Sequence, residues 1–431
     1  MAANPSLAIA ATAVADRTRY LIALRLLPFL FAVYITNYLD RTNLAYAALG
    51  MSRDLGFSDK VFGLGSGVFF VTYVAFQIPG ALLAERWSAR RMISATMIAW
   101  GLLTVLTALV RTPLELYGAR LLLGAAEAGF FPGVIVYLSH WFIQEDRAKA
   151  TSNFMSAIPL SFVIGSPFAG WILSHQWLGV EGWRWLFLLE GLPAILLGAV
   201  AFFFLTDWPH EAAWLPVSER QWIEQKLKNE KLVGASEIPV WLVLRSRTVL
   251  LLACCTFFNY FATYIFVFWF PTLLKRQSGL SDIHVGMLGA LPYFVTFVAM
   301  LINGWHSDKS RERRWHSAAP LFIAAIGLLG LITQPASLWL MLVLSSMACI
   351  SIAYLPVFWA IPTELLGPSA AGAVGMINSV GSVAGFAGPY LFGYLNTVTG
   401  TFSYGLSLMT LAALGGGLLI LCTPKPRRTF R

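Results

Sequence analysis

The sequence predicts an all-α membrane protein whose twelve transmembrane helices form two pseudo-symmetric six-helix bundles. Three observations predict it. Of 431 residues, 58% are hydrophobic and only 12% charged, where an average soluble domain has about 25% charged positions. Twelve apolar stretches approach or exceed the roughly 20 residues a helix needs to cross a bilayer. The one long polar interruption falls after the sixth of them, dividing six spans from six.

The spans fall at 21 to 48, 61 to 84, 92 to 110, 114 to 138, 150 to 173, 184 to 206, 248 to 273, 284 to 304, 316 to 333, 337 to 361, 371 to 395 and 401 to 422. They give an N-terminal bundle over 1–206, a linker over 207–247 and a C-terminal bundle over 248–431. Within the linker, Ser218 to Leu232 is an amphipathic helix with Trp222, Ile223 and Leu227 at helical spacing. The basic residues alternate in density. Segments on the side of the two termini carry clusters such as Arg17, Arg19 and Arg25, then Arg86, Arg90 and Arg91, then Lys309, Arg311, Arg313 and Arg314. The opposite loops carry only Arg53, Lys60, Arg111, Arg184, Lys275 and Arg276. The positive-inside rule then places both termini in the cytoplasm. Span one is too long for a signal-peptide core and is retained, and the short tails point to a bacterial inner membrane.

A net charge of +9 would suit nucleic acid if it formed one patch. Interleaved with apolar spans it is a topology signal, so lipid and not nucleic acid is the surrounding partner. The four cysteines, Cys254, Cys255, Cys349 and Cys422, lie in apolar runs at spacings that suit neither disulfides nor a metal, and read as packing residues. No metal-ligand cluster, serine elbow or phosphate loop occurs, and His210-Glu211 lacks a second histidine at motif spacing. No cofactor is expected, and an enzyme is set aside.

The chemistry lies in four charges inside the N-terminal spans. Asp40 and Arg41 sit within span one, Arg120 and Glu127 within span four. A charge near the bilayer centre costs roughly 2.5–3.5 kcal/mol on insertion scales, so each faces a cavity or a partner. Asp40 and Arg41 point about 100° apart, and Arg120 and Glu127 stand about 10 Å apart on one face. Each must therefore look to another helix. Asp40 is expected to reach toward Arg120 or water, and Arg41 to face the central cavity with Glu127 near; the sequence leaves that pairing open. Arg41 is the candidate anion hook, because guanidinium stays charged and binds carboxylate bidentately. Asp40 and Glu127 are candidate proton sites, since a carboxyl gains or loses its proton as its arginine partner moves away or returns. The alternative is a static network that ties spans one and four together. Glu190, in span six, is a candidate second relay, with a bond to Arg184 or a neighbouring backbone the stronger reading. The C-terminal half offers Asn378, an amide in an apolar helix that needs a partner, with Tyr264, Tyr354, Phe358 and Trp359.

Two loops repeat across the halves. Gly80 to Arg91 (GALLAERWSARR) parallels Gly304 to Arg314 (GWHSDKSRERR), and the second copy resembles the loop signature of the major facilitator superfamily. The first copy departs from it, with Glu85 for Asp, Ser88 for Gly and one extra residue after Gly80. Asn37 to Arg41, Arg120 to Pro132 (RLLLGAAEAGFFP) and Trp183 to Pro193 (WRWLFLLEGLP) resemble the anion:cation symporter family of carboxylate transporters. The resemblance implies the major facilitator fold and a proton-coupled symporter importing a small organic carboxylate. It implies the roles above for Asp40, Arg41 and Glu127, with Arg120 as a supporting charge. It adds substrate contacts at Tyr38, Tyr73, Trp359 and Asn378, and gating at Glu85 and Asp308, which would hold the basic loops in one conformation. Where sugar-acid members carry hydroxyls or amides, this chain has Ile158, Pro356 and Phe358. The run PVFWAIPTELL from Pro356 looks closer to carriers of tartrate, phthalate or hydroxyphenylacetate. An organic-anion exchanger or uniporter is the nearest rival. A carboxylate sensor is less favoured, because the linker and tails are too small for an effector domain.

Overall fold

The computed structural model describes residues 5–233, 245–366 and 370–424. Twelve spanning segments are present among them. Ten segments meet the length and hydropathy of a membrane span; the other two are Ala89–Thr107 and Ala370–Thr399. Span one is a single helix, Pro5–Leu55, and span two is Asp59–Arg86. Span four is two pieces, Pro113–Glu127 and Phe130–Trp141, and span five is likewise Gln144–Met155 and Ala157–Leu173. Span six is Gly182–Phe204. Spans seven to nine are Arg247–Ser278, Asp282–Ser310 and Arg314–Ile332. Span ten joins Leu338–Cys349 to Leu355–Leu366 through a 3-10 turn at Ile350–Tyr354. Span twelve is Ser403–Leu421, and the amphipathic linker helix is Val217–Val233.

Local chemistry sets the boundaries. Ser58, Ser88 and Ser337 accept the backbone N–H three residues on, and Thr112 forms a capping box with Glu115 behind Pro113. Gly279 ends span seven at φ 67°, a left-handed conformation natural to glycine. Large apolar side chains such as Phe203, Leu196 and Leu411 remain exposed on the outer surface, which suits a protein that has lipid around it.

Span three packs on span six and span nine on span twelve, at the two outer ends. Span two packs on span eleven and span five on span eight, across the middle. These pairs exchange under the pseudo-two-fold relation between halves. The midline crossings are tight on the face away from the termini, here the distal face. A Cβ at Gly393 of span eleven would lie 2.4 Å from the Asp59 carbonyl oxygen, and one at Gly170 would lie 2.8 Å from the Gly286 Cα. Only glycine permits such approach.

Gly393→Val is therefore expected to force the distal side apart. Overpacking costs typically 1–3 kcal/mol, charged here against the closed conformation. With the native cysteines replaced, Ser66→Cys, on the wall of the small distal cavity, should react with a membrane-impermeant thiol reagent about five- to a hundredfold faster. An unchanged rate would show that this crossing does not hold the distal side shut.

Candidate functional site

Span one carries polar side chains on two faces at the same depth. One face presents Asn37 and Arg41, a turn apart, to span four. There the Arg41 Nε lies 2.9 Å from Glu127 Oε1, its Nη2 bonds the same oxygen, and Asn37 Nδ2 donates to it at 2.8 Å. Glu127 Oε2 has no partner. Span four is held in place by a close crossing with span two: a Cβ on Gly124 would lie 2.1 Å from the Phe69 carbonyl oxygen, and Thr72 Oγ1 donates to the Leu121 carbonyl at 2.6 Å. Of the pairings that the sequence left open, the structure has Arg41 with Glu127. Both are buried, with side chains 8% and 1% exposed. The Arg41 guanidinium also lies 5.0 Å from the Tyr73 ring and 5.2 Å from that of Tyr38, within cation–π range.

The other face carries Asp40. It makes no ion pair with Arg120: Asn43 Nδ2 donates to Asp40 Oδ1 at 3.4 Å, and Trp100 and Thr104 of span three face it with unsatisfied Nε1 and Oγ1. Arg120 is fully enclosed, with its Nε toward the Gly65 carbonyl at 3.4 Å, its Nη atoms unpartnered and its guanidinium over Phe69 at 5.0 Å. The helix phase explains this, since adjacent residues cannot share a neighbour on span four.

Arg41 opens onto a central cavity of about 290 Å³ walled by both halves. The first half contributes Tyr34, Tyr38, Thr42, Tyr73, Ile158 and Phe162, the second Tyr260, Thr263, Tyr264, Trp359, Asn378 and Ser382. Tyr38, Tyr73, Trp359 and Asn378 thus all reach one chamber. Tyr260 Oη donates to Asn378 Oδ1 at 3.3 Å. Tyr354 and Phe358, one turn apart on one face, do not line it and lie buried, while Trp359, about 100° around the helix from Phe358, does. Tyr260 and Ser382, one turn from Tyr264 and Asn378, went unread although helical spacing indicates them.

The cavity reaches toward the termini face at Ile135, Thr151 and Met155. At the distal face the halves are tied together. Asp59 of span two accepts from Arg276 and from Asn396, and Asp282 of span eight accepts from Arg53 at 2.6 Å and meets Lys275 at 3.0 Å.

The loops on the termini face differ between halves. Asp308 and Glu364 both hold Arg313, so the second copy of the repeated loop is tied to span ten. Glu312 accepts the N–H groups of Trp315 and His316 at the start of span nine. Partial burial opposes its charge, but these amides and the His316 ring outweigh it and hold the carboxyl below its ordinary range. Glu85 is exposed and makes no ion pair among the described residues, contrary to the expected tie with the basic loop. The extra residue after Gly80 turns it about 100° away, and Asp207 takes that place, bonding the Ser88 hydroxyl and the Arg90 backbone N–H. A second correction concerns Glu190. Arg184 bonds Asp54 and the carbonyls of Ala108 and Val110, while Glu190 turns inward to Asn43 and Asp40.

The family model of the Major Facilitator Superfamily matches residues 30–389. A relative from Agrobacterium vitis named "Putative tartrate transporter" is 41% identical over 89% of this chain and 89% of its own. The "Inner membrane transport protein RhmT" of Escherichia coli K12 is 35% identical over 94% of each chain. The crystal structure of a bacterial homolog to the human lysosomal transporter Spinster superposes with a TM-score of 0.73 at 20% identity, over 93% of this chain and 96% of that one.

Proposed function

Because the chain belongs to the Major Facilitator Superfamily, and is thus an integral membrane transporter and not an enzyme, we propose that it imports a small organic carboxylate across a bacterial inner membrane in symport with protons. The two bundles alternate access to a midplane site. The basic segments place the termini face in the cytoplasm, so the structure corresponds to a state shut toward the periplasm.

The observation that carries this reading is Arg41 in the cavity wall with Glu127 as its one acidic partner among the described residues. Substrate carboxylate and Glu127 compete for one guanidinium. A proton on Glu127 frees Arg41 to bind the substrate; loss of that proton restores the pair and ejects the substrate. The site then moves anion and proton together. Asp40, behind span one, takes a second proton, and Arg120 offsets the charge of both acids. Glu85 and Asp308 keep the gating role read from the repeated loops, with Glu85 acting only in the conformation where it meets a partner. Asp207 and Arg313 supply the loop contacts in this one.

Tyr38, Tyr73 and Trp359 offer flat apolar surface to the rest of the substrate and Asn378 one amide. Ile158 adds apolar wall where a hydroxyl-rich hexonate would need a polar partner. A diacid of tartrate size or a single-ring aromatic acid fits better, and the relatives include one named for tartrate.

A thermal-shift panel tests the reading. Purified protein is heated with tartrate, phthalate, hydroxyphenylacetate, galactonate, lactate or a neutral sugar, at about pH 5.5 and 7.5. A ligand at 100 times its dissociation constant adds about 2.7 kcal/mol, and the expected result is stabilisation by one acid, stronger at the lower pH. Stabilisation by the sugar and by no acid would sink the anion reading.

A further inference from the structure

Glu190 is the buried ionisable group that the mechanism above leaves unused. It sits in span six, 4% exposed, and no cation faces it among the described residues. Its carboxyl is directed at Asn43 of span one, whose amide in turn donates to Asp40. Around it, span one presents Asp40, Asn43 and Tyr46, and span five presents Ser166, which accepts from Tyr46 Oη at 2.6 Å. Span three lies against the same region and offers Trp100 and Thr104 toward Asp40, and no charge.

Between these side chains lies a cavity of about 10 Å³, bordered by Thr42, Asn43, Tyr46, Ser166 and Glu190. A void of that size admits the centre of one water, and a water is stable where two to four polar groups surround it. Three buried polar atoms here lack partners: Glu190 Oε2, Asn43 Oδ1 and Asp40 Oδ2. Buried orphans of this kind are rare and call for a reason. Glu190 and Asn43 border the water-sized void and the Asn43 amide reaches on to Asp40, which together describe a path along which a proton can move. The path lies on the face of span one away from the substrate chamber, since Glu190 and Asn43 do not line that chamber. From the helix directions, Glu190 stands about 12 Å from the distal end of span six and Asp40 about 22 Å from that end of span one. Glu190 is thus the member nearer the distal face.

Resting on the symport reading above, we infer that Glu190 is a third proton-handling carboxyl, joined to Asp40 by Asn43 and one water, which loads Asp40 from the distal side by a route separate from that of the substrate. In the transfer, the O–H bond of the Glu190 acid breaks and the water gains that proton. The water releases another proton to the Asp40 carboxylate. Glu190 becomes the anion, Asp40 the acid, and no other group changes. Asn43 orients the water and carries no proton itself.

The test uses full-length protein in proteoliposomes, with labelled tartrate, phthalate and hydroxyphenylacetate as probes. Two assays are compared: counterflow without a pH gradient, and uptake driven by an inward proton gradient. Glu190→Gln is expected to keep counterflow within about twofold of wild type and to lose tenfold or more of gradient-driven uptake. Glu190→Asp should recover most of that uptake with a displaced pH profile. Asn43→Leu should resemble Glu190→Gln. Gradient-driven uptake by Glu190→Gln at the wild-type rate overturns the relay and leaves the symport reading standing. Equal loss of both assays in Glu190→Gln, unrecovered in Glu190→Asp, shows a packing role and also overturns it. No gradient-driven uptake of any probe by the wild type removes the symport reading, and the relay with it.

Discussion

Arg41→Ala is expected to abolish acid-dependent stabilisation and to leave a less stable protein. Removing the guanidinium takes away the charge-assisted bonds on which recognition of a carboxylate rests, so affinity should fall by at least two orders of magnitude. It also leaves Glu127 buried with only Asn37 to bond it. Removing one partner of a buried pair typically costs 3–5 kcal/mol, mostly through the abandoned charge. The double substitution Arg41→Ala with Glu127→Gln separates the two effects. It should recover most of the lost stability, because no bare carboxylate remains, and none of the binding. If binding returned with stability, Arg41 would be a scaffold residue and the hook would lie elsewhere. Arg41→Lys should lie near alanine for binding, since one ammonium cannot reproduce the planar fork.

Glu127→Gln is the second large effect, and it acts in the opposite direction on binding. The amide resembles the protonated acid, so Arg41 stays available at every pH. Wild-type affinity for the acid should weaken by up to about tenfold per pH unit where one proton is coupled to binding. In the variant it should hold near the low-pH value throughout. Uptake driven by a pH gradient should be lost, since no proton accompanies the substrate through this site. Measuring affinity at about pH 5.5, 6.5 and 7.5 decides the matter: a slope equal to that of the wild type would assign the coupling to another group, with Asp40 the next to examine.

The twelve spans and the four intramembrane charges were legible because lipid makes both rules severe. Twenty apolar residues have little other use, and a charge among them needs a partner. Partners on other helices are harder, since sequence gives each helix its own angular frame but no relation between frames. Thus each of these charges was readable as looking to another helix, whereas the pairing of Arg41 with Glu127, and the absence of one between Asp40 and Arg120, was not. Other misses had readable remedies. Arg184 and Glu190 are six residues apart, which places them about 120° apart around the helix and roughly 9 Å along it, too far to pair. Asn37 stands one turn before Arg41 and shares its face. Phe358 and Trp359 are adjacent and point about 100° apart, so both could not face the chamber, and Tyr354 shares the face of Phe358.

The distal ties also give the protein a response to ionic strength that its centre lacks. Asp59 and Arg276 keep 11% and 44% of their side chains in solvent, and Arg53 keeps 64%, so dissolved ions reach them. Arg41 and Glu127 keep only 8% and 1% of their side chains in solvent, so screening reaches them far less. Screening acts over about 10 Å at 0.1 M salt and shortens as salt rises, which weakens the exposed pairs and leaves the buried one largely unchanged. Each exposed pair contributes roughly 0.2–1 kcal/mol, so a saltier distal compartment shifts the conformational balance only a few-fold. The shift has a direction, however. Salt on that side is expected to loosen the closed lock, while salt on the other side does not touch it, so the resting orientation should follow the ionic strength of one compartment.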